Sequence, residues 1–242
     1  MYLSYKTDIG KVRDVNQDSV MGGFISENTA VVVVCDGMGG AQSGEVASRM
    51  AIENVYKRIV DNFRPDASSN SIRNLMLTAV HAANTIVYEK SIEDIDKNGM
   101  GTTCVAALVD GKHCYVVNIG DSRAYLLQKN KIEQVTVDHT YVQSLYDEGH
   151  ITKEEMKTHK MRNVITRAIG VEEDVEVDYF EFDLEDNFSL LLCSDGLTKY
   201  CNEEKIYDCI FERNLEKGIE ELIDFSNEQG GRDNITVAVI AN

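Results

Sequence analysis

Four apolar runs in this chain stop at, or just beside, an aspartate, and three of the four carry glycine next to it. Val31-Val32-Val33-Val34-Cys35 leads into Asp36-Gly37-Met38-Gly39-Gly40, and Leu190-Leu191-Leu192-Cys193 into Ser194-Asp195-Gly196. Tyr115-Val116-Val117-Asn118-Ile119 ends in Gly120-Asp121-Ser122-Arg123, and Gly231-Arg232-Asp233-Asn234 opens onto Ile235-Thr236-Val237. A carboxylate at the end of a buried strand stands where the backbone leaves the core and water enters. Several such ends brought together form an all-oxygen pocket of high negative charge, stable only with cations in it. The chemistry is metal binding, and the reaction it suits is metal-assisted hydrolysis.

Each residue also has a plainer reading. An isolated Asp-Gly pair is more often a turn with a capping aspartate, and Asp121 alone serves equally well as a turn residue. Asp18 lies in a polar stretch, Arg13-Asp14-Val15-Asn16-Gln17-Asp18, and is unremarkable by itself. The combination of four strand ends outweighs these readings. Gly37, Gly39 and Gly40 are expected to let the backbone turn sharply beside Asp36. No His/Cys spacing suggests zinc. Hard oxygen donors suit Mg²⁺ or Mn²⁺, which keep several waters and so need few carboxylates. The hydroxyls of Thr102 and Thr103 could bind waters around the centre, and Ser122-Arg123 is expected to fix the turn holding Asp121. His81 and His113 read as structural, and His139, His150 and His159 as exposed or capping groups. Cys193 reads as core packing.

The elements that must position these residues come in blocks. Residues 30–35 form an apolar, β-branched strand. Ala47, Ala51, Val55, Ile59 and Phe63 step by four, predicting a helix over 44–63, and a second helix follows over 71–90 after Pro65. Strands are expected at 104–109 and 112–117 around an Asp110-Gly111 hairpin turn, and at 125–127 and 132–135. Residues 139–162 are polar with short helical pieces, and Thr152 with Glu155 forms a capping-box signal. Strands at 177–182, 189–193 and 235–240 and helices at 203–212 and 215–228 complete the chain. Hairpins outnumber βαβ units, which predicts an α+β fold: two packed antiparallel sheets flanked by helix pairs.

Bulk composition narrows the function. The 242 residues hold one proline and no linker-like stretch, so one domain is expected over 1–242. The net charge of −17 repels phosphate backbones and anionic membranes, arguing against nucleic-acid or membrane partners. Six cysteines without a CxxC pair, no signal-peptide core and no bilayer-length apolar run point to the reducing cytoplasm. No coiled-coil heptad appears, and a monomer is expected.

The motifs, in order, resemble those of the metal-dependent protein phosphatases (PPM, type-2C serine/threonine phosphatases) in their short bacterial form. The resemblance runs through Thr7-Asp8-Ile9-Gly10, Arg13…Asn16-Gln17-Asp18, Asp36-Gly37-Met38-Gly39-Gly40 and Gly99-Met100-Gly101-Thr102-Thr103. It continues through Asn118-Ile119-Gly120-Asp121-Ser122-Arg123, Asp138-His139, Arg162–Gly170, Cys193-Ser194-Asp195-Gly196-Leu197 and Gly231-Arg232-Asp233-Asn234-Ile235-Thr236. It implies a four-layer αββα sandwich with two Mn²⁺ or Mg²⁺ ions. Asp36 would bridge them, the Gly37 carbonyl would bind the second, Asp195 and Asp233 the first, and Asp18 would act through waters. A third, weaker ion would take Asp121 and Asp195. Arg13 matches the arginine that grips the substrate phosphate, and residues 139–165 match the flap beside the site. Phosphoserine and phosphothreonine proteins are the implied substrates, with a bacterial Hanks-type kinase as counterpart. The alternative is a catalytically inactive phosphoprotein-binding module of the same fold. Met38 stands where many eukaryotic members carry a proton-donating histidine; it cannot donate, so a water of the centre is the expected acid.

Overall fold

The protein is described from a computed structural model covering residues 1–40, 43–94, 97 and 99–242. In chain order its elements are β1 (Tyr2–Asp8), β2 (Asp18–Ser26), β3 (Thr29–Met38), α1 (Ser43–Asn62), α2 (Ser69–Glu93), β4 (Gly101–Thr102), β5 (Cys104–Asp110) and β6 (His113–Ile119). They continue as β7 (Arg123–Gln128), β8 (Lys131–Gln134), α3 (Tyr141–Asp147), α4 (Lys153–Thr158), β9 (Asp178–Asp183) and β10 (Ser189–Cys193). Last come α5 (Asp195–Thr198), α6 (Glu203–Ile210), α7 (Leu215–Glu228) and β11 (Ile235–Ala241).

The apolar runs are continuous because their strands are covered on both faces. Along β3, Val31, Val33 and Cys35 pack against Ala47 and Ile59 of α1 and Met76 and Val80 of α2. The alternate residues Ala30, Val32 and Val34 face Leu190, Leu192, Ala238 and Ile240 of the opposite sheet. On that sheet's outer face Leu191, Cys193, Val237 and Val239 meet Ile206, Ile219 and Leu222 of α6 and α7. Each fully buried valine or leucine contributes about 1.5–3 kcal/mol relative to exposure. The layers are therefore helix, sheet, sheet, helix, and the α+β αββα architecture is as expected.

One sheet runs β1-β11-β10-β7-β8 and the other β2-β3-β5-β6-β9, with β4 attached to β3. All strand pairs are antiparallel; the end of β10 meets the start of β11, and Asp18, the ladder partner of Asp36, bonds Ser194 and Thr236 across the sheets, so these ends fall on one side. All six cysteines are buried and free. No helix among the described residues is long and apolar enough to cross a membrane.

Several boundaries differ from expectation. Strands β1 and β2 flank the polar stretch 13–18 and add to the expected elements; β1 is a half-exposed edge strand, and Gly22-Gly23 interrupt the apolar pattern of β2. Strand β3 carries on through Asp36 and Gly37 to Met38, so Asp36 lies inside a strand rather than beyond it. The hairpin turn between β5 and β6 is Gly111-Lys112, one residue later than expected, because Asp110 pairs with His113 and Gly111 takes a φ of 59°. The segment holding α3 and α4 leaves and returns at one point, where Thr140 bridges Ile165. The Thr152–Glu155 capping box opens α4 as expected.

Candidate metal centre

Asp36 is fixed by its backbone. Its N–H donates to Thr103 Oγ1 at 2.9 Å. Its carbonyl accepts from Thr103 N–H and Thr102 Oγ1, both at 2.9 Å. Thr102 and Thr103 are fully buried. They therefore clamp the strand directly rather than holding waters. Thr103 Oγ1 also shares a 2.7 Å hydrogen bond with Ser122 Oγ, tying Asp36 to the Asp121 turn. Arg123 forks onto Asp138, with its guanidinium 2.6 Å from Oδ2, and so anchors that turn as expected.

Asp18 faces Asp36 across the ladder as its direct Cα partner. Its Oδ2 accepts from Ser194 Oγ and from Thr236 Oγ1, each at 2.7 Å. Those two hydroxyls come from the residue before Asp195 and from β11, so one buried carboxylate joins both sheets. Asp195 opens α5, and Asp233 precedes β11. Lys199 Nζ lies 2.6 Å from Asp195 Oδ2 and 2.7 Å from Asp233 Oδ2. Arg13 donates to Asp233 Oδ1 at 2.8 Å. The structure thus gathers Asp18, Asp36, Asp195 and Asp233 with Arg13 at one end of the sandwich, and Asp121 on the neighbouring turn.

The charge of the cluster is legible in its carboxyls. Burial first, and then Asp18 and Asp195, holds Asp36 well above the usual carboxylate range. Burial pushes Asp18 to about 6, against the pull of Ser194 and Thr236. It pushes Asp121 to about 7, with Asp195 adding to the rise. Asp195 is raised by burial, opposed by Lys199. Burial also acts upward on Asp233, but the bonds from Lys199 and Arg13 outweigh it and hold that carboxyl below its ordinary value. Repulsion of this kind marks a cation site.

A profile of the family described as Protein phosphatase 2C matches residues 11–235. The chain is 37% identical over 246 residues to the serine/threonine phosphatase stp of Listeria welshimeri, covering 99% of this chain and 95% of that protein. It superposes on the serine/threonine phosphatase PstP/Ppp of Mycobacterium tuberculosis with a TM-score of 0.89 at 35% identity, covering 98% and 97% of the two chains. The chain belongs to the protein phosphatase 2C family. It also superposes, with a TM-score of 0.85 at 34% identity and over 98% and 96% of the chains, on the catalytic domain of PstP in complex with two manganese ions.

The donors in this phosphatase fit a divalent ion. Asp18 Oδ1 and Asp121 Oδ1 are buried carboxylate oxygens without a hydrogen-bond partner. Such atoms call for a cation or its waters. Among the described residues no three acidic, histidine or cysteine side chains already close on one metal-sized point. A wider ring suits Mg²⁺ and Mn²⁺, which keep much of their water.

The structure also corrects the histidines. His139 is buried rather than exposed: its Nδ1 accepts from Gly120 N–H at 3.1 Å, and its Nε2 lies 3.1 Å from Asp178. It links the Asp121 turn to the base of the α3–α4 excursion. His81 is exposed, and His113 is an exposed partner of Asp183 across the β6–β9 ladder. His150 is exposed as expected, and His159 caps α4.

Four further side chains contribute to the site. Asn234 accepts from Gln17 N–H and donates to the carbonyls of Ile9 and Val15, tying the loop that carries Arg13 to the Asp233 turn. A polar residue at the mouth of a largely apolar strand is the signal for it. Ser194 and Thr236 carry Asp18 through hydroxyls that look ordinary in sequence. Lys199 stands four residues after Asp195, a spacing that brings two side chains together on a helix.

The raised carboxyls predict a pH dependence in chelator. A carboxyl raised in the folded state adds stability that is complete below its unfolded value of about 3.8 and lost as pH rises through its folded value. With Asp18 and Asp121 at about 6 and about 7, stability in EDTA should climb as pH falls from 8 to 5. Asp233, shifted downward, stays ionised over that interval and does not oppose the trend. Thermal melts in EDTA should show Tm rising by at least ~2 °C, at about 2–4 °C per kcal/mol for a chain of this size. A flat or falling Tm would remove the crowding of carboxylates.

Proposed function

We propose that this chain is a metal-dependent protein serine/threonine phosphatase, hydrolysing phosphoserine and phosphothreonine in proteins. The observation that carries the reading is the gathering of Asp18, Asp36, Asp195 and Asp233 beside Arg13, with Asp18 Oδ1 and Asp121 Oδ1 unpartnered in the buried wall. Asp36, Asp195 and Asp233, with the Gly37 carbonyl, would hold two Mn²⁺ or Mg²⁺ ions; Asp18 would act through their waters, and Asp121 with Asp195 would hold a third. When bound, the ions supply an activated water and neutralise charge developing on the phosphate.

The chain's own residues do the rest. Arg13, half-exposed and steered by Asp233, presents a planar fork that binds two phosphate oxygens and orients phosphorus. It also offsets the repulsion that a phosphoprotein meets at a surface of net charge −17. Thr102 and Thr103 keep Asp36 from shifting as charge redistributes, which is preorganisation rather than binding. Met38 donates no proton, and both ring nitrogens of His139 are engaged, Nδ1 by Gly120 N–H and Nε2 by Asp178, so the leaving alkoxide takes its proton from water.

Residues 1–242 form one catalytic unit in this reading, with 139–165 as a flap that shapes substrate choice. The natural counterpart is a Hanks-type kinase, the setting is cytoplasmic, and the protein works as a monomer without nucleic-acid or membrane partners. An inactive phosphoprotein-binding module is disfavoured, because every expected metal carboxylate is present. The test is phosphate release from a phosphothreonine peptide with Mn²⁺ or with EDTA. Turnover with Mn²⁺ and none in EDTA is expected; release indifferent to EDTA would reject the metal reading, and none with any metal would favour the binding module.

A further inference from the structure

Lys199 brings a fixed positive charge into the carboxylate cluster from inside the chain. Helix α5 is one turn long, and Lys199 follows it directly, its N–H donating to the Asp195 carbonyl at 2.9 Å. The same turn therefore carries a carboxylate and, four residues on, the ammonium that meets it. Nζ is shared between Asp195 Oδ2 and Asp233 Oδ2, while Arg13 sits on the other oxygen of Asp233. Lys199 also acts electrostatically on Asp121, so it is felt by three of the acidic groups. Its side chain is 32% exposed, open to water along one flank. A lysine is a compact point charge on a flexible four-carbon stem, able to leave one partner without disturbing the backbone.

We propose that Lys199 is the tethered counter-cation of this centre: its ammonium holds Asp195 and Asp233 together and competes with a divalent ion for them, so that Lys199 sets the metal affinity. Lys199 is then a positioning residue. It limits the mutual repulsion of Asp195 and Asp233, and it must swing toward water as an ion takes their oxygens. The inference rests on the reading of Asp195 and Asp233 as metal ligands.

The test is calorimetric titration of Mn²⁺ into the chelator-stripped full chain, with thermal melts in EDTA alongside. Lys199→Met keeps the stem and removes the charge. It should bind Mn²⁺ about tenfold more tightly or better, the scale set by one unit charge near contact in a partly wet site. Its Tm in EDTA should fall, because two carboxylates lose the cation between them. Lys199→Arg keeps a cation and should retain affinity near that of the wild type. A merely structural role predicts the reverse, weaker Mn²⁺ binding on substitution. Unchanged or weaker binding by Lys199→Met would overturn the proposal. Asp195→Asn separates the two layers of the argument. Wild-type Mn²⁺ binding in that variant would reject the ligand assignment itself. Lost binding there, with no gain in Lys199→Met, would reject only the role of Lys199.

Discussion

Replacing Asp36 with asparagine should end turnover and, in EDTA, leave the protein more stable than before. The side chains have nearly the same shape, and the restraints on residue 36 come from its backbone: Thr103 Oγ1, Thr103 N–H and Thr102 Oγ1 all remain. Only the charge is removed. Losing the proposed bridge between two ions should forfeit several kcal/mol of transition-state stabilisation, a fall of ~10³-fold or more at about 1.4 kcal/mol per decade. The stability gain has a separate origin. Burial and the carboxylates of Asp18, Asp195, Asp121 and Asp233 all oppose ionisation of Asp36. A neutral amide escapes that opposition, so Tm at pH 7.5 in EDTA should rise by ~2 °C or more. Phosphate release within tenfold of wild type would contradict the bridging role, and a lower Tm would contradict the electrostatic account.

The second large effect is expected at Gly196, where adding one methyl group should dismantle the site from behind. A Cβ there would stand 1.8 Å from the carbonyl oxygen of Asn234 and 2.9 Å from its carbonyl carbon. The backbone at Gly196 is not left-handed, so the conflict is one of space alone. Asn234 cannot yield cheaply, since its side chain is bonded to Gln17, Ile9 and Val15. Gly196→Ala should therefore part Asp195 from Asp233 and shift the Arg13 loop. Overpacking against backbone costs about 3 kcal/mol at the upper end of its usual range, a Tm loss of ~6 °C or more. Mn²⁺ binding by titration should weaken with it. Gly40→Ala is the control: its added methyl meets nothing within 4 Å, and its Tm should stay near wild type. Equal Tm for Gly196→Ala and Gly40→Ala would show that the close approach is not needed.

The glycines after Asp36 illustrate how far the sequence is legible. Gly37, Gly39 and Gly40 are expected to turn the backbone sharply. Of Gly37, Gly39 and Gly40, only Gly39 takes a positive φ, 140°. Gly37 continues β3, and its added Cβ would strike the carbonyl oxygens of Gly44 and Gln17 at 2.1 and 2.6 Å. The residue type was informative, but its reason lay in another part of the chain. The long helices α1, α2 and α7 and the strands β3, β5, β6, β10 and β11 were legible, because burial on fixed faces imposes period and apolar runs. Strands β1 and β2 were not. An edge strand needs no apolar face, and a Gly-Gly step erases alternation.

The order and spacing of the aspartates by themselves determined that an all-oxygen, cation-seeking centre was present, since buried carboxylates at strand ends have few other stable uses. They singled out Asp36, Asp121, Asp195 and Asp233 as its candidates; Asp18 and Arg13 joined them only through the family resemblance. Only the tertiary structure decided what stands among them. Ser194 and Thr236 under Asp18, Thr102 and Thr103 on Asp36, Asn234 behind Asp233, His139 behind Gly120 and Lys199 between two carboxylates are contacts across sheets and turns. A hydroxyl, an amide or an ammonium becomes a partner there because packing brings it within hydrogen-bond reach, and that distance is not encoded in any local pattern.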